Sequence, residues 1–436
     1  MQSEGRAMNE VIPVDNLDNL DNLDDTMTFT SAEAMRKAGP AEIEAALTRG
    51  RTQLLSLFDG FERGLGPNGL RIAQDAAVNL PLWELGHIGW FEEFWLSRNT
   101  ERGLGLACDP FAPRRTSVLP RADALYDSSN VAHGLRWQLV LPDPAATLSY
   151  LTAVREATLT LLRVCSTKEE DLYFFRLVLF HEDMHREAWH FMAQRLGIDL
   201  GPGMTGRAPR PAVASGSWDI PGGLRHVGVD NAGFAFDNEL CAANIEVSAF
   251  SIDRAPVKWD AFLAFVDGGG YTDDSTWTPA GRDWRRHSGA THPLHLRRGQ
   301  SGWERSQFGR WLPVDPLAPA VQITAHEAEA WCRWAGRRLP TEAEWETAAK
   351  LAVEQGEVFE WGEVWEWTTS PFEPYSGFVP HPYRDYSQPW FDGRSVLRGG
   401  SFATVQHMKH PSYRNFFPAD RNDVFAGFRS CPQRSW

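Results

Sequence analysis

The hydrophobic pattern of this chain changes between its two halves, and the change limits the folds that the chain can adopt. From residue 31 to residue 200, apolar residues recur at three- and four-residue spacing, which is typical of amphipathic helices. A linker rich in glycine, proline and small residues follows at 201–217. Residues 218–436 then contain short strand-like pieces and many glycines and tryptophans. The pattern predicts an α+β protein with a helical first half and an irregular second half.

Four segments of the first half carry the helical period, and together they favour an antiparallel helical bundle. They cover residues 32–61, 79–98, 144–165 and 169–197. Pro81 is expected in the first turn of the second helix, because a residue there needs no backbone N–H.

The second half contains two clear helical patterns, at 255–270 and 323–352. Asp253 is the expected cap of the first. Thr324 and Thr341 are expected N-caps within the second, and TEAE reads as a capping box.

Length and composition are those of a globular protein with two ordinary domains. The chain has 436 residues, of which 42% are hydrophobic and 23% charged, so each half is long enough to bury a core. The net charge of −14 argues against a nucleic-acid partner. Residues 1–30 contain the acidic repeat DNLDNLDNLDD, and we expect them to form a disordered tail because they cannot pack a core.

Cysteine usage and hydropathy predict a cytoplasmic protein with no membrane partner. The five cysteines are scattered and form no CxxC motif, which fits a reducing compartment better than a disulfide framework. No apolar run of about twenty residues occurs, and the N-terminus lacks a basic-then-apolar signal. The sequence leaves the oligomeric state open.

The run HEDMHREAWH holds the most specific chemical signal, a pair of histidines four residues apart. His181 and His185 lie one helical turn apart on the same face, so both imidazoles can bind one metal ion. His87, in the aromatic segment LWELGHIGWFEEFWL, can supply a third nitrogen. Three imidazoles from two helices leave open positions, as a catalytic metal needs. Spacing alone also allows a structural role for these histidines, and it places Glu187 off their face.

Several motifs of the second half together resemble the formylglycine-generating-enzyme fold, a variant of the C-type lectin fold. They are FAFDNE, SAFSIDRAPVKWDAFLAFVDGGGY, TEAEWE, VWEWTTSPF, VLRGGSF and FAGFR. The first half, with its HxxxHxE helix and upstream histidine, resembles the DinB-like four-helix domain. In this order the two domains resemble the sulfoxide synthases of ergothioneine biosynthesis and their relatives. The resemblance covers the chain beyond the N-terminal tail.

This resemblance implies a non-haem iron enzyme that uses O2 and small-molecule substrates. Members of the family join a sulfur or selenium donor to the imidazole carbon between the ring nitrogens of trimethylhistidine (hercynine). By resemblance, His87, His181 and His185 would hold Fe(II). Tyr383 and Tyr386 of PYRDYS match a Tyr-x-x-Tyr whose first member donates a proton or hydrogen, while its second lies near the substrate imidazole.

Other matching positions concern the substrate and the groups that support the metal ligands. YRNFFP matches the family's Arg-Asn-Trp-Asp stretch, so Asn415 and Phe416 would contact the quaternary ammonium of hercynine, which an aromatic face attracts. Glu84 and Glu187 are both candidates to accept a hydrogen bond from a ligand histidine. A packed, purely structural role remains the alternative for Tyr383 and Phe416.

The donor site departs from the family pattern. Family members that use γ-glutamylcysteine carry two arginines three residues apart, and the aligned residues here are His133 and Arg136. Phe417 stands in place of an aspartate, and Met184 in place of a glutamine. Because a peptide with two carboxylates needs charged, bidentate partners, these losses argue against γ-glutamylcysteine.

A selenosugar would bind to hydrogen-bonding and aromatic surfaces rather than to a pair of arginines. The segment around His87 also resembles that of the selenoneine synthases. The sequence therefore favours a selenoneine synthase, which forms a C–Se bond between hercynine and a selenosugar. The alternative is an ergothioneine sulfoxide synthase that uses γ-glutamylcysteine or another thiol, since Arg114, Arg115 and Arg121 lie nearby and can rebuild a clamp.

Three further classes compete with this interpretation. A formylglycine-generating oxidase binds copper through a close pair of thiols, and the sequence offers no such pair. A carbohydrate-binding module is compatible with a lectin-like fold, because fold alone does not settle function, but it should tolerate His185→Ala. A zinc hydrolase would differ from an iron enzyme in its metal content.

Overall fold

The computed structural model describes residues 27–201, 208–230, 233–240 and 243–433. Residues 1–26, which hold most of the predicted acidic tail, and residues 202–207 of the predicted linker lie outside the described residues. Within the described residues the chain forms ten α-helices and thirteen strands. The α+β class predicted from the sequence is confirmed.

The first half is helical, and its bundle is built from four long helices that pack on one another, α2, α3, α5 and α6. The helices of this half are α1 (Met27–Arg36), α2 (Pro40–Leu65), α3 (Pro81–Trp95), α4 (Ala122–Tyr126), α5 (Pro144–Arg163) and α6 (Glu169–Leu196). Pro81 lies in the first turn of α3, as predicted. The helix predicted at 32–61 is divided between α1 and α2, because Pro40 keeps Gly39 in an extended conformation.

Helix α3 is buried on all sides. Thirteen of its fifteen residues are buried, and a helix without a polar face belongs in a core. It packs against α5 and α6 of the bundle and against the short helix α4. The contact with α4 requires glycine at Gly86, since a Cβ atom there would lie 2.2 Å from the ring of Tyr126.

The second half is built from small sheets. Its strands are β1 (Ser217–Ile220), β2 (Gly223–Val227), β3 (Ala243–Val247), β4 (Phe250–Asp253), β5 (Leu296–Gly299), β6 (Gly302–Gln307), β7 (Arg310–Pro313), β8 (Arg337–Arg338), β9 (Trp365–Pro371), β10 (Ser395–Arg398), β11 (Asn415–Phe417), β12 (Ala426–Gly427) and β13 (Cys431–Pro432). The largest sheet has the order β11–β10–β9–β12, and only β12 runs parallel to its neighbour. The remaining strands form the sheets β1–β4, β2–β3, β8–β13 and β5–β6–β7.

Four helices accompany these sheets: α7 (Trp259–Asp267), α8 (Pro279–Ser288), α9 (Ala325–Trp334) and α10 (Glu342–Gln355). Thr324 and Thr341 cap α9 and α10 as predicted, each in a capping box, and such a cap contributes about 1 kcal/mol. The prediction for Asp253 is wrong. This residue ends β4, and α7 begins only at Trp259, after an irregular turn.

One apolar core extends through both halves, and helix α6 carries polar contacts across their boundary. The buried carboxylate of Glu187 accepts hydrogen bonds from Trp365 Nε1 at 2.7 Å, Ser401 Oγ at 2.6 Å and Thr404 Oγ1 at 2.8 Å. Asp183 of the same helix pairs with His407 at 2.6 Å. The helix that bears the histidine pair is thus fixed by both halves. No helix among the described residues is long and apolar enough to cross a membrane.

Candidate metal centre

Three histidines converge between α3 and α6. We refer to His87, His181 and His185 as the histidine triad; one ring nitrogen from each lies within 4.8 Å of the others. The Nε2 atoms of His181 and His185 are 3.1 Å apart. Two imidazoles that bind one metal at about 2.1 Å and at right angles would have nitrogens roughly 3 Å apart. The donor set therefore fits a single transition-metal ion.

The carbonyl oxygen of Tyr126 fixes the orientation of His87. It lies 2.8 Å from Nδ1 of His87, and because a carbonyl only accepts, Nδ1 must carry the proton. Nε2 then keeps its lone pair and can face a metal. The ring is further held by Trp83, which stacks on it with centroids 4.9 Å apart.

A carboxylate fixes His185 in the same way. Glu84 Oε1 lies 2.5 Å from His185 Nδ1, which leaves Nε2 of His185 free for a metal. The other carboxylate oxygen of Glu84 accepts from Asn79 Nδ2 at 2.7 Å, and Asn79 Oδ1 accepts from Arg136 at 2.5 Å. A partly buried hydrogen-bonded chain thus runs from Arg136 to His185.

The surroundings of His87 and His181 favour neutral imidazoles, the form that binds metals. Burial and the neighbouring His185 lower the pKa of His87 to about 3. Burial, with His185 and His87, also lowers the pKa of His181 well below its ordinary value. Burial alone would raise the pKa of Glu84, but contact with His185 lowers it to about 2. The site therefore combines the neutral rings of His87 and His181 with the anionic carboxylate of Glu84.

The structure separates the two glutamates that the sequence could not distinguish. Glu84 contacts His185, whereas Glu187 accepts its hydrogen bonds from Trp365, Ser401 and Thr404 in the second half of the chain. Glu84 thus supports the triad, and Glu187 joins the two halves.

The predicted tyrosines lie beside the triad on the connection between β9 and β10. The ring of Tyr383 packs against Phe91 with centroids 4.8 Å apart, and it lies 6.1 Å from the ring of His181. Tyr386 lies 6.1 Å from Tyr383 and stacks on Phe236 at 4.2 Å. Burial raises the pKa of both phenols above their ordinary value, so both stay protonated at neutral pH.

Strand β11 places the predicted ammonium contacts at the far end of this line of rings. Phe416 lies 6.2 Å from Tyr386, ring to ring, and stacks on Phe372 at 3.9 Å. The side-chain oxygen of Asn415 accepts from the backbone N–H of Phe416 at 2.8 Å. The line of rings therefore leads from His181 through Tyr383 and Tyr386 to Phe416.

The residues predicted for the donor lie in different environments. Phe417 packs under the guanidinium of Arg421, 4.8 Å from the ring centroid, and Met184 packs on the main core. His133 donates from Nε2 to the carbonyl of Val78 at 3.0 Å. Arg136 is buried, and its guanidinium lies 3.7 Å from the ring centroid of Trp83. Of these four residues, Arg136 has the hydrogen-bonded connection to a triad histidine described above.

Sequence reasoning missed several residues that shape the site. The carbonyl of Tyr126 left no sequence signal, because any residue presents a carbonyl. Asn79 and Trp83 flank Pro81 in a segment already singled out, and Trp83 lies four residues before His87 on the same face of α3. That spacing was the available signal for Trp83.

Comparison with known proteins places both halves of the chain. The DinB superfamily matches residues 46–188, and the Sulfatase-modifying factor enzyme 1-like domain matches residues 205–363 and 361–433. The fold and the triad thus define a two-domain protein that joins a DinB-type helical bundle to a sulfatase-modifying-factor-like domain.

Relatives that match along most of their length show which family the chain belongs to. The hercynine oxygenase of Mycobacterium tuberculosis is 33% identical over 447 residues, which cover 89% of this chain and 98% of the relative. That of Mycolicibacterium thermoresistibile is 34% identical over 440 residues, covering 87% and 92%. The formylglycine-generating enzyme of Thermomonospora curvata is 32% identical over 168 residues, covering 36% of this chain and 55% of that protein. The chain belongs to the hercynine oxygenase family, a family of oxidoreductases.

Proposed function

We propose that the protein is an Fe(II)- and O2-dependent enzyme that forms the C–Se bond of selenoneine, joining the selenium of a selenosugar to the imidazole carbon of hercynine. The observation that carries this proposal is the line of rings that begins at the histidine triad and ends at Phe416. It joins a metal-binding group, a protonated phenol and an aromatic face suited to a quaternary ammonium. The named relatives supply the substrate, since they are hercynine oxygenases.

The triad suits iron because imidazole binds Fe(II) well and three histidines leave coordination positions open. When bound, the iron supplies a redox-active Lewis acid at which O2 and the donor atom can meet. The chain supplies the preorganisation. Tyr126 holds His87 and Glu84 holds His185, each through Nδ1, so both rings present Nε2 without further rearrangement.

Hercynine is proposed to bind along the tyrosines with its ammonium at Phe416 and Asn415. A cation over an aromatic face gains about 0.5–2 kcal/mol, depending on its desolvation. Phe416 is held for this contact by its stack on Phe372. The substrate imidazole would then lie near Tyr386, between the ammonium site and the triad.

Tyr383 is the proposed proton or hydrogen donor of the reaction. Among the described tyrosines, Tyr383 is the one whose ring contacts the ring of a triad histidine, His181. Burial raises the pKa of Tyr383, so the hydroxyl keeps its proton at neutral pH and can deliver it during attack on the imidazole carbon.

A selenosugar is the favoured donor because the residues at the donor positions are mostly uncharged. Met184 and Phe417 offer apolar surface, and His133 offers a ring that already donates to Val78. Hydroxyl groups of a sugar can bind such surfaces without a pair of charged clamps.

A thiol donor such as γ-glutamylcysteine is the second candidate, and one observation favours it. Arg136 is buried, and no carboxylate of the described residues forms an ion pair with it. A carboxylate of a bound donor can fill that role, because a buried guanidinium gains most from a charged partner.

The test is an assay with protein reconstituted with Fe(II) without oxygen, then exposed to air with hercynine and one donor at a time. Mass spectrometry should find a selenium adduct with the selenosugar and no sulfoxide with γ-glutamylcysteine. A sulfoxide alone would replace the selenium proposal with the thiol one, and neither adduct would overturn both. The Tyr383→Phe variant should lose coupling activity. Full activity of this variant would show that the Tyr383 phenol is not the proton or hydrogen donor.

A further inference from the structure

The two tyrosines of the site lie on a long connection with little regular structure. The connection between β9 and β10 spans residues 372–394, and its regular parts are two short 3₁₀ turns, at Arg384–Tyr386 and Gln388–Trp390. Long connections without regular structure keep a fixed geometry only where side chains anchor them. A proton donor must also be placed closely, because a misplacement of about 1 Å can cost a factor of 100 in rate. The chain therefore needs an anchor for this segment.

Asp237 contacts the segment on both sides of the tyrosines. Its Oδ2 accepts from the backbone N–H of His381 at 3.3 Å, two residues before Tyr383. Its Oδ1 accepts from the hydroxyl of Ser387, the residue after Tyr386. One carboxylate thus brackets the whole stretch that carries both phenols.

The neighbour of Asp237 strengthens this bracket. Asn238 donates from Nδ2 to Ser387 Oγ at 3.0 Å, so the serine hydroxyl is held by two adjacent residues. Asp237, Asn238 and Ser387 are all buried, with exposed fractions of 3%, 1% and 0%. Water does not compete for these hydrogen bonds, which are correspondingly stronger.

The charge of Asp237 is uncompensated. Among the described residues, no lysine, arginine or histidine forms an ion pair with it, and burial raises its pKa to about 6. A buried carboxylate without a cation is costly, so its hydrogen bonds to the segment have to offset that cost. A residue with only a packing role would not need the charge.

The motif that contains Asp237 also contacts the helix that bears the metal ligands. Phe236 stacks on Tyr386 with centroids 4.2 Å apart. Phe234 stacks on Phe180, the residue before His181, at 4.9 Å. FAFDNE, noted in the sequence only as a fold motif, therefore lies between the tyrosine segment and α6.

We infer that Asp237 is a positioning residue that sets Tyr383 and Tyr386 relative to the histidine triad. It acts through backbone and hydroxyl contacts at both ends of the segment 381–387, and it does not touch the reacting atoms. This inference rests on the proposed function, because it assigns Asp237 to the reaction through Tyr383.

The first test measures backbone hydrogen exchange and does not depend on enzyme activity. Hydrogen exchange of the backbone amides in 381–387 should accelerate by about tenfold or more in full-length Asp237→Asn. Asparagine keeps the size of the side chain but loses the charge, and with its oxygen towards His381 its amide group cannot accept the hydrogen bond that the Ser387 hydroxyl donates. Asp219→Asn, on an exposed residue of β1, is the matched control and should exchange like the natural protein. Unchanged exchange in Asp237→Asn would overturn the inference.

The second test separates positioning from general damage. In the Fe(II)-loaded protein, Asp237→Asn should lower kcat by about 10- to 100-fold and change the KM for hercynine by less than about twofold. In a Tyr383→Phe background the same substitution should cost less than about twofold, because the phenol to be placed is gone. Fully additive losses would make Asp237 a structural residue and overturn the inference.

Different results would overturn the proposed reaction and the positioning role of Asp237. Full coupling activity of Tyr383→Phe would overturn the positioning role while the product assay still decided the reaction. Absence of any hercynine adduct in the natural protein would overturn the proposed function, and the exchange measurement would still decide whether Asp237 anchors the segment.

Discussion

The helical bundle buries two polar clusters of opposite character. One is the histidine triad. The other is an ion-pair tetrad of Arg51, Glu92, Arg155 and Glu182, with one residue from each of α2, α3, α5 and α6. His181 and Glu182 are neighbours in sequence, so α6 presents one cluster on each of two adjacent faces. The two clusters share α3 and α6, and they differ in whether the protein itself supplies a partner of opposite charge for each group.

The tetrad is complete in itself. Arg51 pairs with Glu92 at 2.7 Å and with Glu182 at 2.9 Å, while Arg155 pairs with Glu92 at 2.8 Å and with Glu182 at 2.5 Å. Two positive and two negative charges balance. Such a cluster adds little stability over apolar packing, but it is costly to break because a lone charge remains buried.

The triad, by contrast, brings three ring nitrogens together without a cation of the described residues between them. One nitrogen of each ring lies within 4.8 Å of the others, and the carboxylate of Glu84 contacts His185 from behind. Buried polar groups thus serve structure where their partners close the cluster, as in the tetrad, whereas the ring nitrogens of the triad could hold a metal ion.

The largest expected effect is on stability, from breaking the tetrad. Glu92→Ala should lower the free energy of unfolding by about 3–5 kcal/mol, because both arginines keep their charge and lose a partner. Replacing all four residues by methionine should change that free energy far less. Urea denaturation of the metal-free protein measures both variants. Similar losses in the two variants would contradict the view that the tetrad is a closed unit.

The second effect is on metal binding, from removing one triad ligand. His185→Asn keeps an N–H donor for Glu84 but has no nitrogen facing the metal, so the affinity for Co(II), a stable substitute for Fe(II), should fall by more than about 100-fold. The metal-free protein should lose less than about 1 kcal/mol of unfolding free energy. Calorimetric titration gives the affinity. His133→Gln, which keeps the contact with Val78, is the control and should bind Co(II) normally.

The third effect distinguishes the two buried glutamates. Glu84→Gln removes the charge behind His185 and should weaken Co(II) binding by about 10- to 100-fold. Glu187→Gln alters the contact between the halves and should leave the Co(II) affinity within about twofold. A comparable loss of affinity in both variants would show that Glu187 also acts on the metal.

The smallest effect is a dependence on pH. Burial alone would raise the pKa of Glu92, but Arg155 and Arg51 hold it well below its ordinary value. A carboxylate with a lowered folded pKa stabilises the protein above its unfolded pKa, and this contribution is lost as the pH falls below about 4.3. Between pH 5 and pH 3 the natural protein should therefore lose about 1–3 kcal/mol more unfolding free energy than the methionine variant of the tetrad. Urea denaturation at the two pH values measures this difference. Equal acid sensitivity would contradict this.

Much of the helical half could be predicted from the sequence, because burial against a bundle imposes a period. Caps were predictable for the same local reason, as Thr324 and Thr341 show. Helix α8 was not predicted, since its residues are mostly polar and it depends on the N-cap Thr278 and the stack of Trp277 on Trp284.

The site was predictable where its geometry is local. The spacing of His181 and His185 follows from the helical period, whereas the approach of His87 depends on how α3 packs on α6. The choice between Glu84 and Glu187 could not be made from one helix, because their partners lie on other elements. Asp237 left no signal at all, since its contacts are 144 and 150 residues downstream.

The three donors that reach Glu187 have a consequence for recombination between relatives. A chimera that joins this helical half to another second half inherits a buried carboxylate, and it needs an indole and two hydroxyls at the positions of Trp365, Ser401 and Thr404 to satisfy it. The unit of exchange is therefore α6 together with those donors. A crossover at 201–217 cuts the chain at a convenient place and divides that unit.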